Sequence, residues 1–284
     1  MNVFLCLDVG GTEIKAAPVD ENGALAHPIV YFPAKADGKA EDILAHFSEI
    51  FGKIRPAGKE ILKICLAFPG PFDYENGVCL LRGLSKFDRL YGYDLRRAFA
   101  QATGIRPQQI CFANDAAAFA LGEMRYGSAK GAKRALFVCI GTGCGSAFGV
   151  DGSLATPGMD GVPESGYIYD APFLEGCVDD YISRRGLLAF TKQMLGEELD
   201  GKALAQRTDA AARACFLTFG ERLRDALLPH LKRFQPEVLC LGGQITKSAS
   251  LFLPPVEELC REMKIRLYVT EDTSVRTLQG LTCI

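Results

Sequence analysis

The chain has 284 residues, of which 48% are hydrophobic and 23% are charged, and its formal net charge is −2. Basic residues are not clustered and long runs of one charge are absent, which argues against a nucleic-acid-binding protein. No stretch approaches the roughly 20 apolar residues that a membrane-spanning helix requires, and residues 1–7 resemble a core strand more than a signal peptide, so we expect a cytoplasmic protein.

Two segments in the two halves of the chain share one layout. Residues 3–23 contain an apolar strand, a glycine-rich turn at Gly10–Thr12, a second strand and an Asp/Gly turn. Residues 135–152 repeat this order around Gly141–Gly145. The repetition indicates an internal duplication and predicts two domains of one topology.

Strands and helices alternate after each of these hairpins. The apolar spacing predicts an α/β architecture with closely joined domains, because no low-complexity linker occurs. The predicted strands are Ile61–Phe68, Ile110–Ala113 and Val238–Leu241, and the predicted helices are Asp94–Thr103, Asp115–Tyr126, Phe173–Leu195 and Asp209–Phe234.

The two glycine turns suit phosphate binding. Such a turn can direct several backbone N–H groups into one concavity and admits a phosphate without obstruction by a Cβ atom. Thr12 and Thr142 add hydroxyl donors, and Asp8 could hold the Mg²⁺ that bridges nucleotide phosphates, directly or through water. Lys15 could face the same site or solvent. Ordinary hairpin turns are the alternative, but a matched pair preceded by Asp8 favours phosphate binding.

The strand Ile110–Ala113 stops at Asn114 and Asp115, where a helix of small residues begins. Both residues favour helix capping, which is the structural explanation of this corner. The corner also places a carboxylate at the carboxyl end of a strand, where α/β folds bind ligands. There Asp115 could accept the proton of a sugar hydroxyl as that oxygen attacks a γ-phosphate. The corner alone supports both interpretations about equally.

Eleven cysteines are scattered along the chain without a Cys-x-x-Cys pair, and the three histidines lie far from any cysteine cluster. Cysteines placed in short apolar runs behave as small hydrophobic residues. We therefore expect buried, reduced thiols and neither a disulfide framework nor a zinc site.

Taken in order, five segments resemble the ROK family, named for bacterial repressors, sugar kinases and uncharacterised open reading frames. The resemblance implies an α/β, two-domain actin-like ATPase (ribonuclease H-like) fold, with duplicated mixed sheets flanked by helices and an interdomain cleft. It implies an N-terminal sugar- and phosphate-binding lobe at 1–114, which 270–284 could complete, and a C-terminal nucleotide-binding lobe at 115–269. The segments are Leu7–Thr12 with Lys15, Phe68–Asp73, Asn114–Ala118 with Gly122 and Glu123, Gly141–Gly145, and Leu241–Ile245.

The resemblance implies ATP-dependent phosphorylation of a hexose or hexoside hydroxyl, with ATP and Mg²⁺ bound and Asp115 as the general base. Asp8 would serve the magnesium. Glu164 is the favoured sugar ligand of the second half, Asp179 is left undecided, and solvated surface charges are the alternative for both. The implied substrate-binding residues are Asn114, Glu164, Asp179, Tyr167, Gly70 and Pro71, and the implied nucleotide-binding residues are Asp8, Gly10, Gly11, Thr12, Lys15, Gly141, Thr142, Gly143, Gly145, Gly242, Gly243 and Gln244.

One region departs from the family pattern. Many members hold a zinc ion through a Cys-x-Cys-Gly-x-x-Gly-Cys cluster and a nearby histidine. Here only Cys177 remains and Tyr167 replaces the histidine, so the resemblance predicts no structural zinc. Because that histidine commonly touches the sugar, the departure puts glucose in doubt as the substrate. Glucokinase-like and β-glucoside-kinase-like activities both remain open.

Several alternatives stay open beside the hexose kinase. They are a catalytically weak sugar sensor or regulator, a kinase for an N-acyl amino sugar, and the use of another phosphoryl donor. Repressors of the family carry a helix-turn-helix ahead of the first phosphate motif, whereas this chain begins at that strand, which we take to disfavour a repressor. We expect a small-molecule sugar and ATP as partners, no nucleic acid and no membrane; a homodimer is compatible with the family.

Overall fold

The computed structural model of the protein describes residues 2–84 and 86–284. The chain divides into two compact units, one formed by Met1–Tyr126 with Ser274–Ile284 and the other by Gly127–Thr273. The strands are β1 (Val3–Val9), β2 (Glu13–Asp20), β3 (Val30–Pro33), β4 (Ile61–Ala67), β5 (Phe72–Asp73), β6 (Val78–Cys79), β7 (Ile110–Ala113), β8 (Arg134–Ile140), β9 (Cys144–Val150), β10 (Ser153–Leu154), β11 (Pro172–Phe173), β12 (Gly176–Cys177), β13 (Val238–Gly242) and β14 (Arg266–Val269). The helices are α1 (Ala40–Ile54), α2 (Leu95–Thr103), α3 (Asp115–Tyr126), α4 (Val178–Tyr181), α5 (Arg184–Leu195), α6 (Gly201–Ala205), α7 (Ala210–Phe234), α8 (Ala249–Phe252), α9 (Pro254–Glu262) and α10 (Thr273–Gly280).

The first unit is built on a five-stranded mixed sheet in the order β3-β2-β1-β4-β7. Strands β1, β2 and β3 are antiparallel neighbours, whereas β4 runs parallel to β1 and to β7. Side chains alternate between the faces of a strand. Val3, Leu5 and Leu7 accordingly pack in one core with residues of α1 and α2, while Cys6 packs in another with residues of α3 and the C-terminal segment. Helices therefore cover both faces of this sheet.

Phenylalanine rings form the centre of the core under α1 and α2. The fully buried Phe47 ring lies 5.1 Å from the Phe99 ring, 6.3 Å from Phe68 and 6.4 Å from Phe87, measured between centroids. Phe68 follows β4, and Phe87 belongs to the loop between β6 and α2. The same aromatic cluster thus anchors the helices and two loops that lead to the candidate site.

Replacing Phe47 with alanine should lower the free energy of unfolding by about 3–5 kcal/mol, because a buried ring is lost and the surrounding rings close the cavity incompletely. Urea or guanidinium unfolding of the purified protein measures this change. Tyr31→Ala is the matched control: Tyr31 is 56% exposed on β3, so its removal should change the same free energy by less than about 0.5 kcal/mol. Equal losses in the two variants would contradict this description of the core.

Helix α10 packs closely against α3 on the other face of the sheet. A Cβ atom on Gly280 would strike the carbonyl oxygen of Ala118, and one on Gly122 would strike that of Arg276, so both contacts require glycine. Arg276 also donates from Nε to the buried Glu123 carboxylate at 3.2 Å. These contacts place α3 in the first unit, whereas the division predicted from sequence begins the second lobe at residue 115.

The second unit repeats the design with the sheet order β10-β9-β8-β13-β14. Its β8 and β9 are antiparallel, and β13 runs parallel to β8 and to β14. Each strand has a counterpart at the same place in the first sheet. The predicted α/β fold with duplicated mixed sheets is therefore confirmed. Among the helices of the described ranges, none combines the length and apolar character that crossing a bilayer demands.

Most predicted elements are present within one or two residues of their expected ends, but the helix predicted over Phe173–Leu195 is wrong. Its first part is the hairpin β11–β12, which turns at Leu174 with a φ of 51°. The short helix α4 follows, and α5 begins only after Ser183, whose hydroxyl caps it by accepting the N–H of Gly186 at 3.1 Å. A left-handed residue and a new helix cap interrupt an apolar spacing that otherwise suits one helix.

Candidate active site

Asp8 lies near the carboxyl end of β1 and, like Cys6, points to the face of the sheet that α3 covers. Lys15 is its direct partner in the antiparallel register between β1 and β2. The Lys15 Nζ atom lies 3.4 Å from Asp8 Oδ2, and both side chains are 18% exposed. Lys15 therefore faces the site, which resolves the orientation that the sequence left open.

The charge of Asp8 is set by its surroundings. Burial raises the pKa of the Asp8 carboxyl, the nearby Lys15 ammonium opposes this rise, and the negative charge of Asp115 adds to it. The carboxylates of Asp8 in β1 and Asp115 at the start of α3 therefore act on each other electrostatically. Carboxylate oxygens such as those of Asp8 are ligands that suit Mg²⁺.

At the corner between β7 and α3, the side chains of Asn114 and Asp115 make different contacts. Asn114 Oδ1 accepts the N–H groups of Ala116 at 3.0 Å and of Ala117 at 3.3 Å, so Asn114 caps the helix. Asp115 is exposed, and its Oδ1 accepts the Ala116 N–H at 2.8 Å. Within the described residues its Oδ2 has no hydrogen-bond donor. Capping by Asn114 thus leaves one oxygen of Asp115 open to a ligand.

The first glycine turn joins β1 to β2. The Gly10 N–H donates to Glu13 O at 2.9 Å, and Thr12 O accepts the Ala34 N–H at 2.9 Å, so both ends of the turn are fixed. In the part of the chain that the structure describes, the N–H groups of Gly11 and Thr12 have no backbone acceptor. A turn that fixes its ends and leaves two amides unpaired can bind an anion.

Lys86 lies over the same turn and was not expected from the sequence. A Cβ atom on Gly11 would lie 3.3 Å from Lys86 Cδ, so the lysine stem crosses the glycine directly. Lys86 is 75 residues away from Gly11 in the chain and lies in a loop of irregular structure, which gives no periodic signal. It adds a positive charge beside the first turn.

The Pro-Gly-Pro segment follows β4 and is tied to the β7 corner. The Phe68 N–H donates to Ala113 O at 2.9 Å, and Phe68 O accepts the Tyr74 hydroxyl at 3.0 Å. The Gly70–Pro71 peptide bond is cis. A Cβ atom on Gly70 would lie 3.4 Å from the Tyr74 hydroxyl oxygen. Gly70 and Pro71 therefore lie in a segment that is hydrogen-bonded to the residue before Asn114.

The second glycine turn joins β8 to β9 in the second unit. The Gly141 N–H donates to Gly143 O at 2.9 Å, and Thr142 at the apex is exposed, while Gly145 lies within β9. The N–H groups of Thr142 and Gly143 have no backbone acceptor among residues 2–84 and 86–284. This turn therefore presents amides much as the first one does.

Asp179 lies beside this second turn. Its Oδ1 accepts the Cys144 N–H at 2.6 Å, and its Oδ2 pairs with Arg185. Both carboxylate oxygens thus have partners within the chain. Asp179 as a sugar ligand stays a prediction, and the contacts favour another role, considered below.

The turn after β13 lies against the end of β8. Gly243 has a φ of 99°, and a Cβ atom there would strike the backbone of Ile140, so only glycine fits. The Gly243 N–H donates to Thr273 Oγ1 at 2.8 Å. Gly242 ends β13, and Gln244 begins a short 3₁₀ helix. Close packing on Ile140 brings this turn next to the residue that precedes Gly141.

Glu164 and Tyr167 lie in the loop between β10 and β11. The Glu164 side chain is exposed, and its Oε2 would lie 3.0 Å from a Cβ atom on Gly158, which has a φ of 77°. The Tyr167 ring lies 5.7 Å from the Tyr169 ring, between centroids. The loop is attached to the sheet by the Ile168 N–H, which donates to Ser146 Oγ at 2.9 Å. The Glu164 carboxylate is therefore available to a ligand.

The structure thus brings Asp8, Lys15, Asn114 and Asp115 together in the first unit, with the first glycine turn. In the second unit it brings the Gly141–Gly145 turn together with Asp179 and with the Gly242–Gln244 turn. Lys86 and Arg185 are the residues that the sequence did not single out.

Comparisons with known proteins agree with this architecture. The sequence model of the ROK family matches residues 4–278. A glucokinase from Thermotoga maritima is 27% identical and covers 89% of this chain and 85% of its own length. The DNA-binding transcriptional repressor Mlc from Escherichia coli is 22% identical over 84% of this chain, which corresponds to 62% of the repressor.

A solved structure shows the same fold over nearly the whole chain. The ROK family glucokinase from Streptomyces griseus, crystallised with glucose and AMPPNP, superposes with a TM-score of 0.79 and 20% identity. The alignment covers 99% of this chain and 98% of that protein. At this identity the likeness establishes the shared fold.

Proposed function

This chain belongs to the ROK family, and we propose that it is an ATP-dependent sugar kinase that phosphorylates a hydroxyl of a hexose or hexoside. Asp115 is the general base of the proposed reaction, and Mg-ATP is the phosphoryl donor. Glucokinases among the similar proteins support the reaction class.

One observation carries the proposal. The Asp115 carboxylate is exposed at the start of α3, two residues after the last residue of β7. Asp8, beside the first glycine turn, is aligned with that end of β7, because Asp8 pairs with Ala67 of β4 and Ala67 pairs with Ala113 of β7. A kinase needs a base for the hydroxyl, a cation site and donors for the phosphates. Asp115, Asp8 and the free amides of Gly11 and Thr12 supply these three features within one unit.

The reaction is an in-line transfer of the γ-phosphoryl group. Asp115 accepts the proton of the sugar hydroxyl while that oxygen forms a bond to the γ-phosphorus, and the bond to the β–γ bridging oxygen breaks, so that ADP leaves. Mg²⁺ arriving with ATP would neutralise phosphate charge, and Asp8 would hold it directly or through water. Lys15 and Lys86 add positive charge around the first turn, which favours the polyphosphate.

Glu164 is proposed as a ligand of the sugar hydroxyls, together with Asn114 and Tyr167. Glu164→Gln should raise the KM for the sugar about tenfold or more and leave the KM for ATP within about twofold, because a hydrogen bond to a charged acceptor contributes about 1.5–3 kcal/mol. Initial rates at varied sugar and varied ATP separate the two constants. Glu175→Gln, a change of an exposed glutamate in the nearby β11–β12 hairpin, should alter neither. A rise in the KM for ATP alone would contradict the assignment.

A sugar sensor without turnover is the second candidate, and the similarity to the repressor Mlc is the observation that favours it. The two candidates differ in what they do with a bound sugar. A sensor would bind the sugar and release no ADP, whereas a kinase would release ADP in proportion to the sugar consumed.

The experiment is a measurement of ADP release with Mg-ATP across hexoses, N-acyl amino sugars and β-glucosides. Calorimetric titration of each sugar in the absence of ATP accompanies it. We expect at least one sugar to stimulate ADP release well above the sugar-free rate. Binding of a sugar without stimulation by any member of the panel would replace the kinase with the sensor.

A further inference from the structure

The second glycine turn is held at both ends by residues of α4 and α5. The Arg184 N–H donates to Gly141 O at 2.8 Å, at the start of the turn. At its end, Asp179 Oδ1 accepts the Cys144 N–H at 2.6 Å. The Asp179 side chain is only 16% exposed, so water competes weakly for this bond. Hydrogen bonds to α4 and α5 therefore fix both ends of the turn.

The position of Asp179 is itself fixed. Its N–H donates to Tyr169 O at 2.9 Å, and its carbonyl accepts the hydroxyl of the fully buried Ser183 at 2.6 Å. A Cβ atom on Gly143 would lie 2.8 Å from Asp179 Oδ1, so the carboxylate packs directly under that glycine. Because hydrogen bonds fix the main chain of Asp179, its carboxylate positions the turn more precisely than a mobile side chain would.

A carboxylate beneath a phosphate-binding turn would repel the anion if it stood alone. Arg185 pairs with Asp179 Oδ2 and so neutralises the negative charge of that carboxylate. The Arg185 side chain is 66% exposed, so its guanidinium group lies at the surface beside the turn. Burial raises the pKa of the Cys144 thiol, and the negative charge of Asp179 adds to that rise, so the thiol next to the turn stays neutral. The net charge presented to a phosphate depends on Arg185.

The hydrogen bonds also decide which amides remain for a ligand. Gly141 N–H is used inside the turn, and Cys144 N–H is used by Asp179. The N–H groups of Thr142 and Gly143 are left without a backbone acceptor in the described ranges. Loss of Asp179 would release the Cys144 amide and remove the carboxylate that packs under Gly143, so the turn that carries the two open amides would lose its support.

We propose that Asp179 and Arg185 form a clamp that positions and neutralises the second glycine turn for the phosphates of ATP. Asp179 is then a positioning residue for the nucleotide and not a ligand of the sugar. The inference rests on the proposed kinase function for its ligand, and it concerns a part of the site to which the family resemblance gives a different role.

Three variants of the full-length protein test the clamp. Asp179→Ala should weaken the binding of AMPPNP with Mg²⁺ about tenfold to 100-fold, because a partly buried hydrogen bond to a charged group is lost. Arg185→Met should weaken it about tenfold, because it leaves Asp179 as an uncompensated negative charge. The double variant Asp179→Asn with Arg185→Met should bind AMPPNP more tightly than Arg185→Met alone, since asparagine keeps an acceptor for the Cys144 amide without the charge.

Calorimetry of AMPPNP without sugar gives these affinities independently of turnover, and initial rates then give the KM for ATP and for the sugar. Arg224→Met, which removes a surface ion pair with Asp225 in the same unit, is the matched control and should leave all values unchanged. Circular dichroism checks that each variant is folded. If Asp179→Ala does not fold, the AMPPNP affinities of Arg185→Met and of the double variant still test the clamp.

The clamp is overturned if the affinity for the sugar falls while that for AMPPNP is unchanged, which would make Asp179 a sugar ligand. Unchanged AMPPNP affinity in Arg185→Met, or no recovery in the double variant, overturns it as well. If the wild-type protein binds AMPPNP but phosphorylates no sugar, the proposed kinase function is wrong, whereas the clamp can still be correct. Failure of the kinase proposal and failure of the clamp are therefore distinguishable.

Discussion

Replacing Asp115 with asparagine should lower kcat by about 10²–10⁴-fold at saturating sugar and ATP, because the variant keeps the shape of the side chain and loses the base that accepts the hydroxyl proton. The helix should remain capped, since Asn114 accepts the Ala116 and Ala117 N–H groups. Binding of AMPPNP should therefore persist. Single-turnover and steady-state rates with the best sugar of the panel measure the loss.

Asp94→Asn is the matched control for this variant. Asp94 also lies at a helix start in the first unit, where its Oδ1 accepts the Arg97 N–H at 2.8 Å, and asparagine caps a helix as well as aspartate. The control should retain the wild-type kcat. Near-normal turnover of Asp115→Asn would remove Asp115 as the base, and equal losses in both variants would indicate a general effect on folding.

Replacing Asp8 with asparagine should lower kcat/KM by about 10²-fold or more, because a ligand for the cation that screens the phosphates is lost and about 3 kcal/mol of stabilisation goes with it. The thermal stability should not fall. Burial, with Asp115 adding to it, raises the pKa of Asp8 in the folded protein above its ordinary value of 3.8, although Lys15 opposes the rise. An ionised Asp8 is therefore less stable in the fold than in water, and a neutral residue removes this cost.

The sign of the pH dependence follows from the raised pKa. The contribution of Asp8 to stability is fully present below its unfolded pKa and is lost as the pH rises through its folded pKa. At neutral pH the Tm of Asp8→Asn should accordingly equal or exceed that of the wild type, while activity is lost. A marked fall in Tm would mean that the Lys15 pair outweighs burial, and unchanged kcat/KM would exclude Asp8 from the cation site.

The strands and turns near the site were predictable because each short apolar run ends at glycine, proline, aspartate or asparagine. The corner at Asn114 shows the limit of such patterns. Capping and catalysis require the same residue types there, and only the structure distinguishes the two side chains: Asn114 accepts two N–H groups of the helix, whereas Asp115 is exposed. The interaction of Asp115 with Asp8 leaves no signal in the residue spacing, since the two lie 107 positions apart.

Other features could not be predicted from spacing. The segment Phe173–Leu195 has the apolar spacing of one helix, and the break between α4 and α5 depends on Ser183, whose side chain forms a cap that competes with helix continuation. Asp179 and Arg185 lie on opposite sides of this break, so helical periodicity does not pair them. Lys86 reaches Gly11 from an irregular loop, and a tertiary contact of this kind leaves no local signal.

The central claim is tested most directly by following the phosphoryl group itself. The protein is incubated with ATP labelled in the γ-phosphate, Mg²⁺ and each sugar of the panel, and the labelled products are separated. A sugar phosphate should form with at least one sugar, in equal amount to the ADP released, and Asp115→Asn should form it at least about 10²-fold more slowly. Label that appears only in inorganic phosphate, or that stays in ATP with every sugar, would contradict the account.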